Sequence, residues 1–175
     1  MGLKDIFESV TAFFEHQNIE YAVIGGFALY GYGYVRATQD IDFVTRIENQ
    51  EKIISFFENL GFETVHCSIA FSNHVHPVGN SRVDIMYIEG NTADTIFSAV
   101  QKKIIFNQTQ YPIVAPVHLI AMKLFAAAND PERKLKDLAD IKEIIGHIEI
   151  DANKIKNLFE KYGLKDYYDS FIRKR

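Results

Sequence analysis

The stretch Thr38-Gln39-Asp40-Ile41-Asp42-Phe43-Val44 decides how the rest of the chain is read. A β-strand alternates its side chains between two faces. As a strand, the stretch puts Asp40 and Asp42 on one face, roughly 7 Å apart at Cα, and Ile41 and Phe43 on the other. One face then belongs to a core and the other carries paired carboxylates. Two carboxylates so placed can converge on one divalent cation, or share two ions about 3.5–4 Å apart. Mg²⁺ suits them, because it takes one or two carboxylates and completes its shell with phosphate and water. Alone, an Asp-x-Asp is also what a solvated strand end looks like.

A third acid changes the weighting. Asp84 lies in Val83-Asp84-Ile85-Met86-Tyr87-Ile88, an otherwise apolar strand pattern. An ionised carboxylate there is costly unless it is paired, hydrogen-bonded or bound to metal. The alternatives are a cation shared with Asp40 and Asp42, or an ion pair with Arg82 or Arg36. Upstream, the buried-strand pattern Tyr21-Ala22-Val23-Ile24 ends at Gly25-Gly26, and a short helix through Phe27, Ala28 and Leu29 breaks at Gly31 and Gly33. Glycine lets backbone N–H groups approach a phosphate closely. A glycine pair after a strand is also an ordinary turn.

Around these motifs the period of the apolar residues sets the elements. Leu3, Ile6, Phe7, Val10, Phe13 and Phe14 predict an amphipathic helix over 3–16. Residues 49–60 predict a second helix, with Gly61 just past its end. Residues 63–71 and 82–88 read as strands, and 72–81, with Pro77 and Gly79, as the loop between them. Residues 92–101 read as a helix with Thr92 as N-cap, then short strands at 104–106 and 113–115. From Pro116 the pattern is helical: 116–128, 131–145, then one or two more helices. Alternating strands and helices followed by helices alone predict an α/β (α+β) fold, a mixed sheet in 1–115 with a helical extension over 116–175.

Composition narrows the classes. At 175 residues, 47% hydrophobic and 24% charged, the chain can bury a core. Its one cysteine, Cys67, excludes an intramolecular disulfide and agrees with a reducing, cytoplasmic setting. The start MGLKDIFESV has no apolar core of a signal peptide, and Ile6 stands where a myristoylation motif needs Ser or Thr. No apolar run approaches the ~20 residues of a membrane span. A net charge of −4 argues against a general nucleic-acid coat; the basic end Arg173-Lys174-Arg175 reads as a solvated helix end.

Taken together, Gly25-Gly26-Phe27-Ala28-Leu29, Arg36-Ala37-Thr38, Asp40-Ile41-Asp42 and the later Asp84 resemble the nucleotidyltransferase superfamily with the DNA polymerase β-like fold. Within it the chain is similar to bacterial minimal nucleotidyltransferases and abortive-infection-type toxins. The family pattern is a Gly-Gly or Gly-Ser pair, a spacer of about a dozen residues, Asp-x-Asp and a third acid. Here the spacer is residues 27–39, 13 in number. The core resemblance spans about residues 1–115 and continues more loosely to about 145. It implies that Gly25 and Gly26 contact the triphosphate, that Asp40 and Asp42 bind two Mg²⁺ ions, and that Asp84 joins the metal site and helps activate an acceptor hydroxyl. It implies an NTP as substrate, an acceptor that is tRNA, protein or a small molecule such as an aminoglycoside or lincosamide, and an antitoxin as partner. Gly26 departs from the Ser variant and has no hydroxyl to offer.

Further polar residues need an account. Lys123 is the sole Lys, Arg, Asp or Glu in the helix over 116–128. An interior ammonium wants an anion, which is either a triphosphate, as toxin-like relatives use it, or a structural carboxylate. Arg36 is a second candidate for nucleotide charge. Asp137 and Asp140 stand one turn apart, with Asp140 expected on a solvated helix surface. His74 and His76 are expected in a solvated loop, without an evident third zinc ligand. Two other functions stay open: a non-catalytic nucleotide-binding or interaction module, and another metal-dependent phosphate-transfer enzyme such as a phosphohydrolase.

Overall fold

The structure is a computed structural model that describes residues 2–172. The basic end at 173–175 lies outside the described residues. The chain divides into two compact units, Met1–Gly31 with Val35–Val114, and Tyr32–Tyr34 with Ala115–Arg175.

The first unit holds a seven-stranded mixed sheet. Its elements are α1 (Leu3–His16), β1 (Tyr21–Val23), α2 (Gly25–Gly31), β2 (Asp40–Arg46), α3 (Gln50–Asn59), β3 (Glu63–Cys67), β4 (Phe71–Val75), β5 (Arg82–Ile88), α4 (Gly90–Ser98), β6 (Gln101–Phe106) and β7 (Thr109–Ile113). The strand order is β3-β4-β5-β2-β1-β7-β6. β2 runs parallel to β5, and β1 parallel to β7; the other neighbours are antiparallel.

One face of the sheet is a core. Ile41 and Phe43 of β2, and Val83 and Ile85 of β5, are fully buried there. Phe7 of α1 meets Phe27, Phe43, Phe106 and Tyr111 at ring separations of 4.9–5.4 Å. Edge-on and tilted aromatic contacts of this kind add to the area they bury. The helical spacing of the apolar residues in 3–16 thus serves one packed face, which meets β2, β6, β7 and the helices α2 and α3.

The structure departs from the expected elements around β4. Residues 63–71 do not form one strand, and 72–75 do not belong to the loop. Ser68 reverses the chain: its N–H donates to the Phe71 carbonyl (2.8 Å), and its hydroxyl accepts from the Phe71 N–H (3.1 Å). Such a serine turn closes a hairpin without glycine. A second hairpin turns at Asn107 and Gln108, both at positive φ (47° and 62°), and joins β6 to β7, which spans Thr109–Ile113 rather than 113–115. α4 starts at Gly90 with Glu89 as its N-cap position, three residues ahead of the expected Thr92 cap.

The second unit is helical: α5 (Pro116–Asn129), α6 (Lys134–His147), α7 (Ala152–Lys161) and α8 (Lys165–Tyr167), the last continuing into a π-helical turn. Pro116 sits in the first turn of α5. α7 is capped by Asp151, whose carboxylate accepts from the Asn153 N–H (2.9 Å). No helix among the described residues is long and apolar enough to cross a membrane.

Candidate active site

The second face of the sheet carries the acids. Asp40 and Asp42 share it because they are two residues apart on β2. In the parallel register Asp42 stands directly beside Asp84, and Asp40 beside Arg82. Hydrogen-bonded strands lie about 4.8 Å apart, so Asp42 and Asp84 are immediate neighbours. All three acids are half-buried.

Asp84 takes an ion pair as well as its place beside Asp42. Its Oδ1 accepts from Arg82 Nε (2.8 Å) and from Asn73 Nδ2 (2.7 Å). The hydrogen bond to Asp84 raises the Arg82 pKa, and the charges of Asp84, Asp40 and Asp42 raise it further. One guanidinium therefore sits in the field of all three carboxylates.

The glycine pair adjoins this face. The Ile24 N–H donates to the Asp42 carbonyl (3.0 Å), which carries the chain out of β1 alongside β2. Gly25 follows with φ +62°, in the left-handed region, and a Cβ there would lie 1.9 Å from Asp42 Oδ2. Only glycine meets both conditions. At Gly26 a Cβ would lie 2.7 Å from Thr38 Oγ1, so the Thr38 side chain occupies the space above it. That hydroxyl donates to the Asp40 carbonyl (3.1 Å). Arg36, half-buried in the segment leading to β2, donates from Nη1 to the Ala37 carbonyl (3.1 Å).

Lys123 belongs to the helical unit. Its ammonium donates to Asp137 Oδ1 (3.0 Å) and Asp140 Oδ2 (2.6 Å). Asp137 and Asp140 are 1% and 2% exposed, so Asp140 is not on a solvated helix surface. Asp137 Oδ2 has no hydrogen bond, with Arg133 Nε 3.5 Å away. α6 turns this pair inward together with Leu138, Ile141 and Ile144.

His74 also departs from expectation. It is fully buried on β4, bonded through Nε2 to Ser72 Oγ (2.8 Å) and through Nδ1 to Thr64 Oγ1 (3.2 Å). Its ring stacks on Phe57 at 4.2 Å. Burial lowers its pKa to about 4. His76 lies beyond β4, and Cys67 is exposed. Asn73 is a polar contact of the site that lies outside the motifs, and Thr38 lies within a motif but had no role assigned to it. No apolar–polar alternation marks Ser72-Asn73-His74 as a strand, and Pro77 and Gly79 downstream favour a loop.

Among the described residues no three His, Cys, Asp or Glu side chains form a ready metal cage. Mg²⁺ does not require one, since it keeps waters and takes substrate phosphates. The donor chemistry fits: hard carboxylate oxygens on one face, with a protein cation, Arg82, already held among them.

The sequence over residues 11–173 matches the family described as "Nucleotidyl transferase AbiEii toxin, Type IV TA system". The chain belongs to this family. It is a nucleotidyltransferase by family and a member of a toxin–antitoxin group. Solved structures agree on the fold. The lincosamide antibiotic adenylyltransferase LnuA, bound to lincomycin, is 18% identical with a TM-score of 0.63, covering 85% of this chain and 99% of its own. The antibiotic-resistance factor ANT(2'')-Ia is 15% identical with a TM-score of 0.72, covering 94% and 95%. An antigenic nucleotidyltransferase-like protein from Paracoccidioides brasiliensis is 16% identical with a TM-score of 0.60, covering 95% and 90%. A comparison with curated proteins gives no match.

Proposed function

We propose that the acidic face of the sheet transfers a nucleoside monophosphate from an NTP to an acceptor hydroxyl, with Asp40, Asp42 and Asp84 as its acids. The observation that carries this reading is the direct pairing of Asp42 with Asp84, next to a glycine that leaves room for the Asp42 carboxylate.

Asp40, Asp42 and Asp84 would hold two Mg²⁺ ions, which supply charge neutralisation for the attacking and leaving oxygens. Gly25 and Gly26 let Asp42 and Thr38 pack against the backbone, whose N–H groups would contact phosphate, and Arg36 adds positive charge. Asp84 orients the acceptor hydroxyl and takes its proton. The acceptor oxygen forms a bond to the α-phosphorus, the α–β bridging bond breaks, and pyrophosphate leaves. Lys123 enters with a test of its own, because its ammonium is already held by two carboxylates. The acceptor is tRNA, protein or a small hydroxylated antibiotic, and an antitoxin is the expected regulatory partner.

The test is label transfer. The full chain is incubated with Mg²⁺ and each of the four α-labelled NTPs, against total tRNA, cell protein, lincomycin and tobramycin. Labelling of one acceptor class is expected, and its loss in Asp40→Asn and Asp42→Asn. No labelling with a melting temperature raised by Mg²⁺-NTP would favour a non-catalytic binding module. Free nucleotide products without transfer would favour a phosphohydrolase. Neither labelling nor a thermal shift overturns the proposal.

A further inference from the structure

We propose that Asn73 is the positioning residue for Asp84: its side-chain amide holds Oδ1 and so presents Oδ2 to the substrate. This rests on Asp84 acting in the proposed transfer.

Asn73 stands directly opposite Asp84 in the antiparallel β4–β5 pair, and its Nδ2 donates to Oδ1 at 2.7 Å. Arg82 Nε reaches the same oxygen at 2.8 Å. Two donors on one oxygen fix the carboxylate's rotamer and leave the second oxygen for chemistry.

The two donors are not equivalent. The Arg82 side chain is 45% exposed and is attracted by Asp40 and Asp42 as well as by Asp84. Its hold depends on a charge balance that any bound cation alters. Asn73 is neutral, so its hydrogen bond depends on that balance less than the Arg82 ion pair does. It keeps Asp84 in place while charge enters and leaves the face.

The fold also locks Asn73 where this requires it. A strand slipped by one residue turns every side chain to the other face. β4 cannot slip cheaply, because the residues on either side of Asn73 are anchored on the core face. Ser72 Oγ bonds the Tyr87 hydroxyl (2.8 Å) across to β5 and His74 Nε2 (2.8 Å) along β4. Both Ser72 and His74 are fully buried. The buried polar network on one face thereby sets the register that aims Asn73 on the other.

The test compares Asn73→Ala, Asn73→Gln and Asn73→Asp in the full chain, with the NTP and acceptor that the wild type uses. Asn73→Ala should lower kcat about 10- to 100-fold, the effect of one hydrogen bond to a charged group, with the nucleotide KM and melting temperature near wild type. Asn73→Gln, which keeps the donor, should recover part of the rate. Asn73→Asp should fall below Asn73→Ala, because it removes the donor and sets a like charge beside Asp84. In NMR spectra, the Asn73 side-chain amide signals, identified by their loss in Asn73→Ala, should move in Asp84→Ala. A folded Asn73→Ala with wild-type kcat, a rate loss that only mirrors a drop in melting temperature, or amide signals unmoved by Asp84→Ala overturns the inference. If the wild type labels no acceptor, the transfer reading fails separately, and the amide signals alone judge the Asn73–Asp84 contact.

Discussion

Among the described residues, the Arg82 and Lys123 ion-pair clusters differ in burial. In the sheet unit, Arg82 bonds Asp84 with side chains 45% and 24% exposed. In the helical unit, Lys123 bonds Asp137 and Asp140 with side chains 8%, 1% and 2% exposed. Water can replace either partner of the first pair at small cost, and an arriving ion can compete for its carboxylate. In the second, each charge has been taken out of water and depends on the other. The same chemistry thus gives an exchangeable site in one place and a fixed joint in the other.

The comparison breaks most directly at Lys123. Lys123→Met keeps the stem and removes the ammonium that both buried carboxylates bond. A loss of about 3–5 kcal/mol in urea unfolding is expected. Unchanged stability would mean that the cluster is not a structural joint. Weakened Mg²⁺-NTP binding at intact stability would instead assign the ammonium to phosphate.

Acid should loosen the sheet unit through a third polar group, His74. Its folded pKa, about 4, is below the usual 6.5, and the cause is burial. Above pH 6.5 both folded and unfolded states hold it neutral, so the full stability is present. Between about pH 6.5 and 4 only the unfolded state takes the proton, and stability falls with falling pH. The loss should reach about 2 kcal/mol after allowance for solvent screening. His74→Gln should flatten this part of the pH dependence; a slope unchanged in that variant would assign it to other groups.

The smallest effect belongs to the exposed pair. Arg82→Ala should change unfolding free energy by less than about 1 kcal/mol. A loss as large as that of Lys123→Met would erase the distinction between the two clusters.

Much of the site could be read from local sequence, for a local reason. Strand alternation alone puts Asp40 and Asp42 on one face and Ile41 and Phe43 on the other, and the buried phase is as expected. Asn73 could not be read this way. Pro77 and Gly79 extended the loop back over Ser72–Val75, and the turn that makes β4 a strand uses Ser68, which carries no strong turn signature. Lys123 was visible as a lone cation among apolar residues, but its partners lie 14 and 17 residues away on another helix.

The sequence by itself determined the alternation of strands and helices outside 63–81, the acidic phase of β2, and the glycine pair after β1. These follow from side-chain period and backbone sterics, which act over a few residues. Only the tertiary structure decided that Asp42 pairs with Asp84, that Asn73 and Arg82 share one oxygen of Asp84, and that two acids on α6 hold Lys123. Those facts depend on register and packing between distant segments, where many pairings satisfy the same local pattern and burial selects one.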